Sequence, residues 1–439
     1  MIAIFSLALA VWLGSLDQSI ANTLLPAIAA DLQVSPAESV IVVHAYQMAV
    51  VTTLLPLAAL GDRWGARRVF LSGVALFSLA GLGSALASDV HMLALFRAIQ
   101  GIGSSGVMSV NLALVRQIFP PDKLGRGTGL NAFVVGLGYS LGPTVASVLL
   151  PYLSWHWLFG MQCPIGVFSW LLARKLLPRV APTAQGVPYR WDLAALAAAC
   201  FGGLIFALAA IAQRQEVTVV VTSLAVMLLC GALVLRGQRR QAVPMLPVDL
   251  MRRPMFSLSV FTAFCSFTTQ GLAFVALPFF LQQQLGREAL DTGLLMTTWS
   301  VVVALSAPLA GPLSDRQPPA LLGGIGLSLL SIGMALLSLR QGDDPLSVMG
   351  LCIALCGLGF GLFQSPNLRA IMSSAPAHRT SGASGMVALA RLTGQATGAA
   401  LVALCFNLAG AQGPGYALAL GAFTAGAGAL LSLARLRVR

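Results

Sequence analysis

Over most of the chain the hydrophobic positions follow neither a helical nor a strand period. They form near-continuous blocks, close to residues 2–28, 39–60, 69–88, 92–115, 127–150, 156–177, 193–213, 217–235, 256–282, 292–313, 319–339, 346–371, 383–408 and 415–434. A helix needs about 20 apolar residues to cross the hydrocarbon core. The pattern therefore predicts an all-α polytopic membrane protein with about fourteen transmembrane helices. An even number of spans places both termini on the same side.

Polar residues inside these blocks are few, and they narrow the chemistry. Asp17 stands in the middle of the first block, in the stretch Gly14-Ser-Leu-Asp17-Gln-Ser-Ile-Ala-Asn22. A carboxylate at that depth costs roughly 2.5 kcal/mol or more, and such residues usually face a bundle interior or an aqueous cavity. Burial favours the neutral acid, which makes Asp17 a candidate proton carrier; the alternative is a structural acid paired with a neighbouring helix. Arg97 lies in the fourth block with Gln100, Ser104, Met108 and Asn111, a polar stripe at helical spacing. An intramembrane arginine needs a partner, either Asp17 or backbone carbonyls.

Composition agrees with the block pattern. Of 439 residues 57% are hydrophobic and 9% charged, whereas a soluble domain carries about 25% charged residues. The net charge of +12 is explained by position rather than by nucleic-acid binding. Twenty-one of the 26 Lys and Arg fall in the loops assigned to the cytoplasm and three in the outer loops, as the positive-inside rule requires. The expectation is a multi-pass membrane protein with both termini cytoplasmic. The first block lacks a basic leader region and is read as a span, not a cleaved signal. The seven cysteines lie in apolar runs without metal-ligand spacing, so neither metal nor cofactor is expected.

An internal repeat organises the whole. Ala58-Ala-Leu60-Gly-Asp62-Arg63 after the second block lines up with Gly311-Pro-Leu313-Ser-Asp315-Arg316 after the tenth. Two six-helix bundles in direct repeat explain this: residues 1–180 and 246–439, with 181–245 as a two-helix insert and its linkers.

Several segments together resemble the major facilitator superfamily, and more narrowly its fourteen-helix drug:proton antiporter branch. They are Leu16-Asp17-Gln18-Ser-Ile-Ala-Asn22-Thr-Leu-Leu-Pro26, Gly61-Asp62-Arg63-Trp-Gly65-Ala-Arg67-Arg68, Arg97-Ala-Ile-Gln100-Gly101 and Gly138-Tyr-Ser-Leu-Gly142-Pro143. The resemblance covers essentially the whole chain. It implies proton coupling at Asp17 and Arg97. It implies a gating loop at Asp62, Arg63, Gly65, Arg67 and Arg68, echoed by Asp315 and Arg316. It also implies an antiporter hinge at Gly136, Gly138, Gly142 and Pro143, where small residues at four-residue spacing equally suit a packing seam.

The expected function is proton-driven export, by alternating access, of lipophilic or cationic small molecules, including quaternary-ammonium and other drugs. The resemblance also implies a bacterial cytoplasmic (inner) membrane location, and the chain is expected to act as a monomer in the bilayer, with no nucleic-acid partner. Substrate-cavity candidates are Gln18, Asn22, Tyr46, Gln47, Gln100, Met108, Trp299, Gln364, Asn367 and Arg391, together with the aromatic residues Trp12, Phe274, Phe279 and Phe363. The competing readings are a proton-coupled uptake symporter on the same fold and a membrane sensor, enzyme or channel. Inner loops short and poor in His, Cys and acids disfavour a sensor or enzyme.

Overall fold

The computed structural model describes residues 2–118, 124–178, 191–212, 215–238, 248–375 and 380–437. Within them some side chains lie outside the description, those of Asp62, Asp315 and Arg316 included. Among the described residues the structure is helical and contains no strand. The helices are α1 (Ile2–Asp31), α2 (Pro36–Ser39), α3 (Ile41–Trp64), α4 (Ala66–Ala85), α5 (Val90–Ile118), α6 (Leu124–Leu149), α7 (Trp155–Gly160), α8 (Gln162–Leu176) and α9 (Trp191–Ala212). They continue as α10 (Val217–Gln238), α11 (Val248–Met251), α12 (Pro254–Phe279), α13 (Ala289–Arg316), α14 (Pro319–Ser338), α15 (Leu346–Ser374), α16 (Thr380–Ala409) and α17 (Gly413–Ala434).

Each of the fourteen predicted blocks contains a helix. Eleven stretches among the described residues are long and apolar enough to cross a membrane. The difference has simple causes. Helices α16 and α17 fall in one stretch, Gly385–Arg437; the apolar part of α6 is short, Val134–Leu149; and the sixth block is divided at Met161 into α7 and α8. In hydrocarbon every backbone polar group must be satisfied within the segment, which is why the blocks become helices.

The chain divides into two compact units, Met1–Ala210 with Gln215–Gly237, and Gln238–Arg439 with the short stretch Ile211–Arg214. Helices α9 and α10 cluster with the first. Within that unit α1 pairs with α6, and α5 with both α3 and α4; within the second, α12 pairs with α16, and α15 with both α13 and α14. The same pairing scheme recurs in chain order, as a direct repeat demands.

Small residues set the closest approaches, since lipid supplies no hydrophobic drive between helices and packing must come from backbone proximity. In the first unit a Cβ on Gly103 of α5 would stand 2.5 Å from Phe77 N of α4. In the second a Cβ on Gly359 of α15 would stand 2.5 Å from Gly326 O of α14. Around the first seam Phe70, Val74, Val107, Val110 and Leu114 form a buried cluster with Leu7 and Ala173. This packing fixes α5 against its neighbours and so aims Arg97.

Candidate functional site

Asp17 lies midway along α1 with 0% exposure, and Arg97, one-quarter of the way along α5, has 1%. The guanidinium Nη1 donates to both Asp17 oxygens at 2.8 Å and to Gln100 Oε1 at 2.7 Å. Gln100 stands one turn on from Arg97, the i,i+3 spacing that brings helical side chains together. Its Nε2 donates to Asp17 Oδ1 at 3.2 Å and to Gln162 Oε1 at 3.0 Å. Gln162, the first residue of α8, donates in turn to Leu158 O at 3.3 Å.

Two aromatic faces hold the cation. Arg97 Cζ lies 4.5 Å from the Tyr46 ring centroid and 5.3 Å from that of Phe159, within cation–π range. The Tyr46 hydroxyl donates to Ser104 Oγ at 2.7 Å, so the next residue of the α5 polar stripe fixes the ring. Asp17 and Arg97 cancel in charge, and Gln100 adds one donor to Asp17 Oδ1 and one acceptor to Arg97, while Arg97 Nε has no hydrogen-bond partner among the described residues. A buried pair without such partners would not repay its desolvation.

Helix α6 grips the segment that carries Asp17. A Cβ on Gly138 would stand 2.8 Å from Trp12 O and 2.8 Å from Ser15 Cβ, and one on Gly142 would stand 2.4 Å from Ser19 Cβ. These two glycines therefore bracket Asp17 from one side, and Ser19 Oγ donates to Tyr139 O at 2.9 Å between them. Gly136 plays no part in this seam: it is exposed, and a Cβ there would meet nothing within 4 Å. Pro143 is buried inside the helix. Gly138→Val is expected to push α6 off α1 and lower stability by about 1–3 kcal/mol, the usual range for overpacking. Thermal unfolding of the purified protein in detergent measures it, and an unchanged midpoint would contradict the seam.

The remaining cavity candidates of the first unit surround the pair at varying distance along α1, α3 and α5. Gln18 accepts from the Tyr139 hydroxyl. Asn22 and Gln47 are buried, and Asn22 Oδ1 and Gln47 Oε1 have no hydrogen-bond partner among the described residues; Met108 is half-buried. In the second unit Trp299 is 1% exposed, Gln364 is exposed, Asn367 is buried and Arg391 is half-buried.

Comparisons with known proteins bear on family and fold. The family model described as Major Facilitator Superfamily matches residues 7–399 and 259–438. The chain belongs to the major facilitator superfamily. It is 45% identical, over 94% of its length and 90% of the relative's, to an uncharacterized transporter, YebQ, of Escherichia coli. It is 28% identical, over 92% of its length and 75% of the relative's, to the multidrug resistance protein Stp of Mycobacterium tuberculosis. A crystal structure of a peptide transporter POT in complex with sulfate superposes with a TM-score of 0.76, over 99% of this chain and 94% of the other, at 16% identity. The protein is thus an integral membrane transporter and not an enzyme.

Two features of this major facilitator chain were not legible as sites. The first is Gln162, an isolated amide in an apolar run; it closes the Asp17 network from α8. The second is Arg435, counted from the sequence among the cytoplasmic positive charges. It is 1% exposed. At the first position of a short 3₁₀ turn after α17, its Nη1 donates to Ser259 Oγ at 2.9 Å and to Asn367 Oδ1 at 2.8 Å. Its Nε donates to Ser432 O at 3.3 Å. Asn367, expected in the substrate cavity, is committed to this staple and donates to Ser259 O at 3.1 Å. Arg435→Ala leaves a cavity and orphaned acceptors joining α12, α15 and α17; the expected loss is about 2–4 kcal/mol. Equal thermal midpoints for variant and wild type would show that the staple carries no stability.

In the loop expected from the sequence to act as a gate, Gly65 sits between α3 and α4 with φ 93°, in the region that favours glycine. Arg67 donates to Arg174 O at the end of α8, Arg63 is half-buried and Arg68 exposed. The side chains of Asp62, Asp315 and Arg316 lie outside the described residues.

Proposed function

We propose that this transporter exports amphipathic small molecules in exchange for protons. Asp17 is the proton-binding group and Arg97 its ion-pair partner. One observation carries this reading: the carboxylate has 0% exposure and both of its oxygens accept from one guanidinium. A proton arriving at Asp17 must therefore break an ion pair inside the first unit. It leaves a neutral acid beside a guanidinium still held by Tyr46, Phe159 and Gln100, and the site passes from no net charge to one positive charge.

That change has a mechanical route. Helix α1 is tied to α5 through the pair and to α6 through Gly138 and Gly142, so release of the pair alters the support of α1 on one side only. In this reading the two six-helix bundles alternate access, with the Asp62 to Arg68 loop and Asp315–Arg316 as gates and the Gly138–Pro143 segment as hinge. The transporter works as a monomer in a bacterial inner membrane with both termini cytoplasmic. The export direction is supported by the relative named as a multidrug resistance protein, and a symporter remains the competing direction.

The expectation of a cationic substrate rests on the resemblance to drug:proton antiporters and not on a free carboxylate, since Asp17 is paired with Arg97. The test of export is full-length protein in proteoliposomes with an entrapped pH dye, given gradients of ethidium and of a neutral and an acidic aromatic probe. Protons moving against at least one gradient support exchange; protons moving with the solute would establish symport instead.

A further inference from the structure

The buried face of α8 carries Gln162, Gly166, Ser169 and Ala173. Gln162 is its one long side chain, and the small residues beyond it let α8 lie close to α4 and α1. A Cβ on Gly166 would collide with Ser78 Oγ and stand 3.5 Å from Leu13 Cδ2, and Ser169 Oγ donates to Ser6 O at 3.1 Å. At the head of this seam Gln162, 1% exposed, has both ends of its amide engaged. Leu158 O can only accept, so it takes Nε2 at 3.3 Å and turns Oε1 toward Gln100 Nε2 at 3.0 Å. Gln100 presents the same nitrogen to Asp17 Oδ1 at 3.2 Å and its oxygen to Arg97 Nη1 at 2.7 Å. Helix α4 leaves room where the two amides meet, since a Cβ on Gly81 would stand 3.5 Å from Gln100 Nε2 and 3.9 Å from Gln162 Oε1.

The internal repeat groups this amide with the charged pair. Gly138 and Gly142 meet α1 at Trp12 O, Ser15 Cβ and Ile20 N, and Gly394 and Gly398 meet α12 at Phe264 O, Phe267 Cβ and Leu272 N. Gly101 of α5 meets Tyr46 O as Gly357 of α15 meets Trp299 O, and Gly166 of α8 meets Leu13 as Gly428 of α17 meets Cys265. In this register Gln18 and Tyr139, joined by a hydrogen bond in the first unit, become Gln270 and Gln395, joined at 2.8 Å in the second. Asp17, Arg97, Gln100 and Gln162 become Thr269, Ile353, Cys356 and Thr424. The hydroxyls of Thr269 and Thr424 meet directly at 2.8 Å, so both units link these two helices at this level. Where the acid and its cation are absent, both amides are absent as well, and two short side chains make a neutral tie. The four positions differ as a set, which a generic packing role for Gln162 does not explain.

We propose that Gln162 is a positioning residue of the proton site: through Gln100 it holds one N–H donor on the Asp17 carboxylate and so sets the pH at which Asp17 takes up its proton. This deepens the reading of Asp17 as the proton-binding group and rests on it. A donor aimed at a carboxylate bonds the charged form and not the neutral one. Without Gln162 the Gln100 amide keeps its bond to Arg97 but loses the acceptor that fixes its nitrogen, and Nε2 leaves Asp17. The groups around Asp17 that titrate or carry charge are Arg97 on α5, Tyr46 on α3 and, beyond it, Tyr139 on α6, which donates to Gln18. Helices α4 and α8 present Gly81 and Gln162 there. A neutral substitution of Gln162 leaves all of these in place, so a moved titration reports the donor.

The experiment uses the full-length protein in detergent. Infrared difference spectroscopy follows the carboxylic C=O stretch that wild type gains on acidification and Asp17→Asn does not, and its midpoint is read. Gln162→Met fills the space with a flexible side chain of similar length. It is expected to move the midpoint to higher pH by about one unit, the low end for one hydrogen bond to a charged group. The pH profile of exchange in proteoliposomes should move by the same amount. In a Gln100→Met background the further change Gln162→Met should move the midpoint no further. An unmoved midpoint in Gln162→Met, even with slower exchange at every pH, overturns the inference and leaves Gln162 a packing residue; an equal second shift in the Gln100→Met background overturns it as well. If the Asp17 band titrates but Asp17→Asn exchanges normally, the coupling role of Asp17 falls and the midpoints still decide Gln162. If no band appears at any pH at which the protein stays folded, Asp17 takes up no proton and both readings fall. Should Gln162→Met not fold, Gln162→Asn answers by the same readout. Its amide is one methylene shorter and cannot hold Leu158 O and Gln100 together, so an unmoved midpoint overturns the inference.

Discussion

Asp17→Asn is expected to abolish proton-coupled exchange down to the level of empty vesicles while leaving the protein folded. Asparagine has nearly the shape of aspartate, and its amide oxygen still accepts from Arg97 Nη1. It cannot take up a proton in the working range, so the exchange loses its coupling step. The loss belongs to coupling and not to packing, and the two separate in one experiment. In proteoliposomes the pH-driven component should vanish, whereas solute equilibration down its own gradient should persist at a measurable rate. Full pH-driven exchange by Asp17→Asn would remove Asp17 from the mechanism and return it to the structural role that a paired acid can also play. Asp17→Glu sharpens the result. The carboxylate survives, but an additional methylene must fit where exposure is 0%, so partial coupling with lowered stability is expected.

How much of this was legible in the sequence depends on the physical signal each residue carries. The membrane blocks were legible because the bilayer imposes length and apolarity together. Asp17 and Arg97 were legible because charge at membrane depth is rare enough to stand out, and the helical spacing of Arg97 and Gln100 put both on one face. Their mutual bond was one of two open alternatives; only the packing of α5 against α3 and α4 aims the guanidinium at α1. Gln162 carried no signal, because one amide in an apolar run is compatible with any orientation. The burial of Arg435 carried no signal either. With Arg437 and Arg439 it reads as a basic tail, and nothing local in the sequence shows that its guanidinium reaches Ser259 and Asn367. The glycines of α6 were legible as a group but not individually. The sequence grouped Gly136 with Gly138 and Gly142, whereas the seam against α1 is built from Gly138 and Gly142 alone among these.

Removal of Arg97 is expected to be the most destabilising single change in the first unit. Arg97→Met retains volume and apolar contact with Tyr46 and Phe159 but leaves Asp17 enclosed without its cation. Breaking one side of a buried pair costs about 3–5 kcal/mol, unless the acid takes up a proton and stays neutral. Either outcome stops coupling, because the carboxylate is then no longer exchangeable between its paired and protonated forms. The converse variant, Asp17→Asn, strands a guanidinium that still has Gln100, Tyr46 and Phe159, so its cost should be the smaller of the two. Asp17→Asn combined with Arg97→Met removes both charges, and replacing a whole buried pair is often close to neutral. The double variant should therefore recover much of the stability lost by Arg97→Met while recovering no exchange. Thermal unfolding of the four proteins in detergent closes a double-mutant cycle, and transport on the same preparations supplies the second readout. Strictly additive midpoints would mean that the 2.8 Å pair contributes nothing as a pair. Recovery of stability without recovery of exchange would separate what the pair does for the fold from what Asp17 does for the proton.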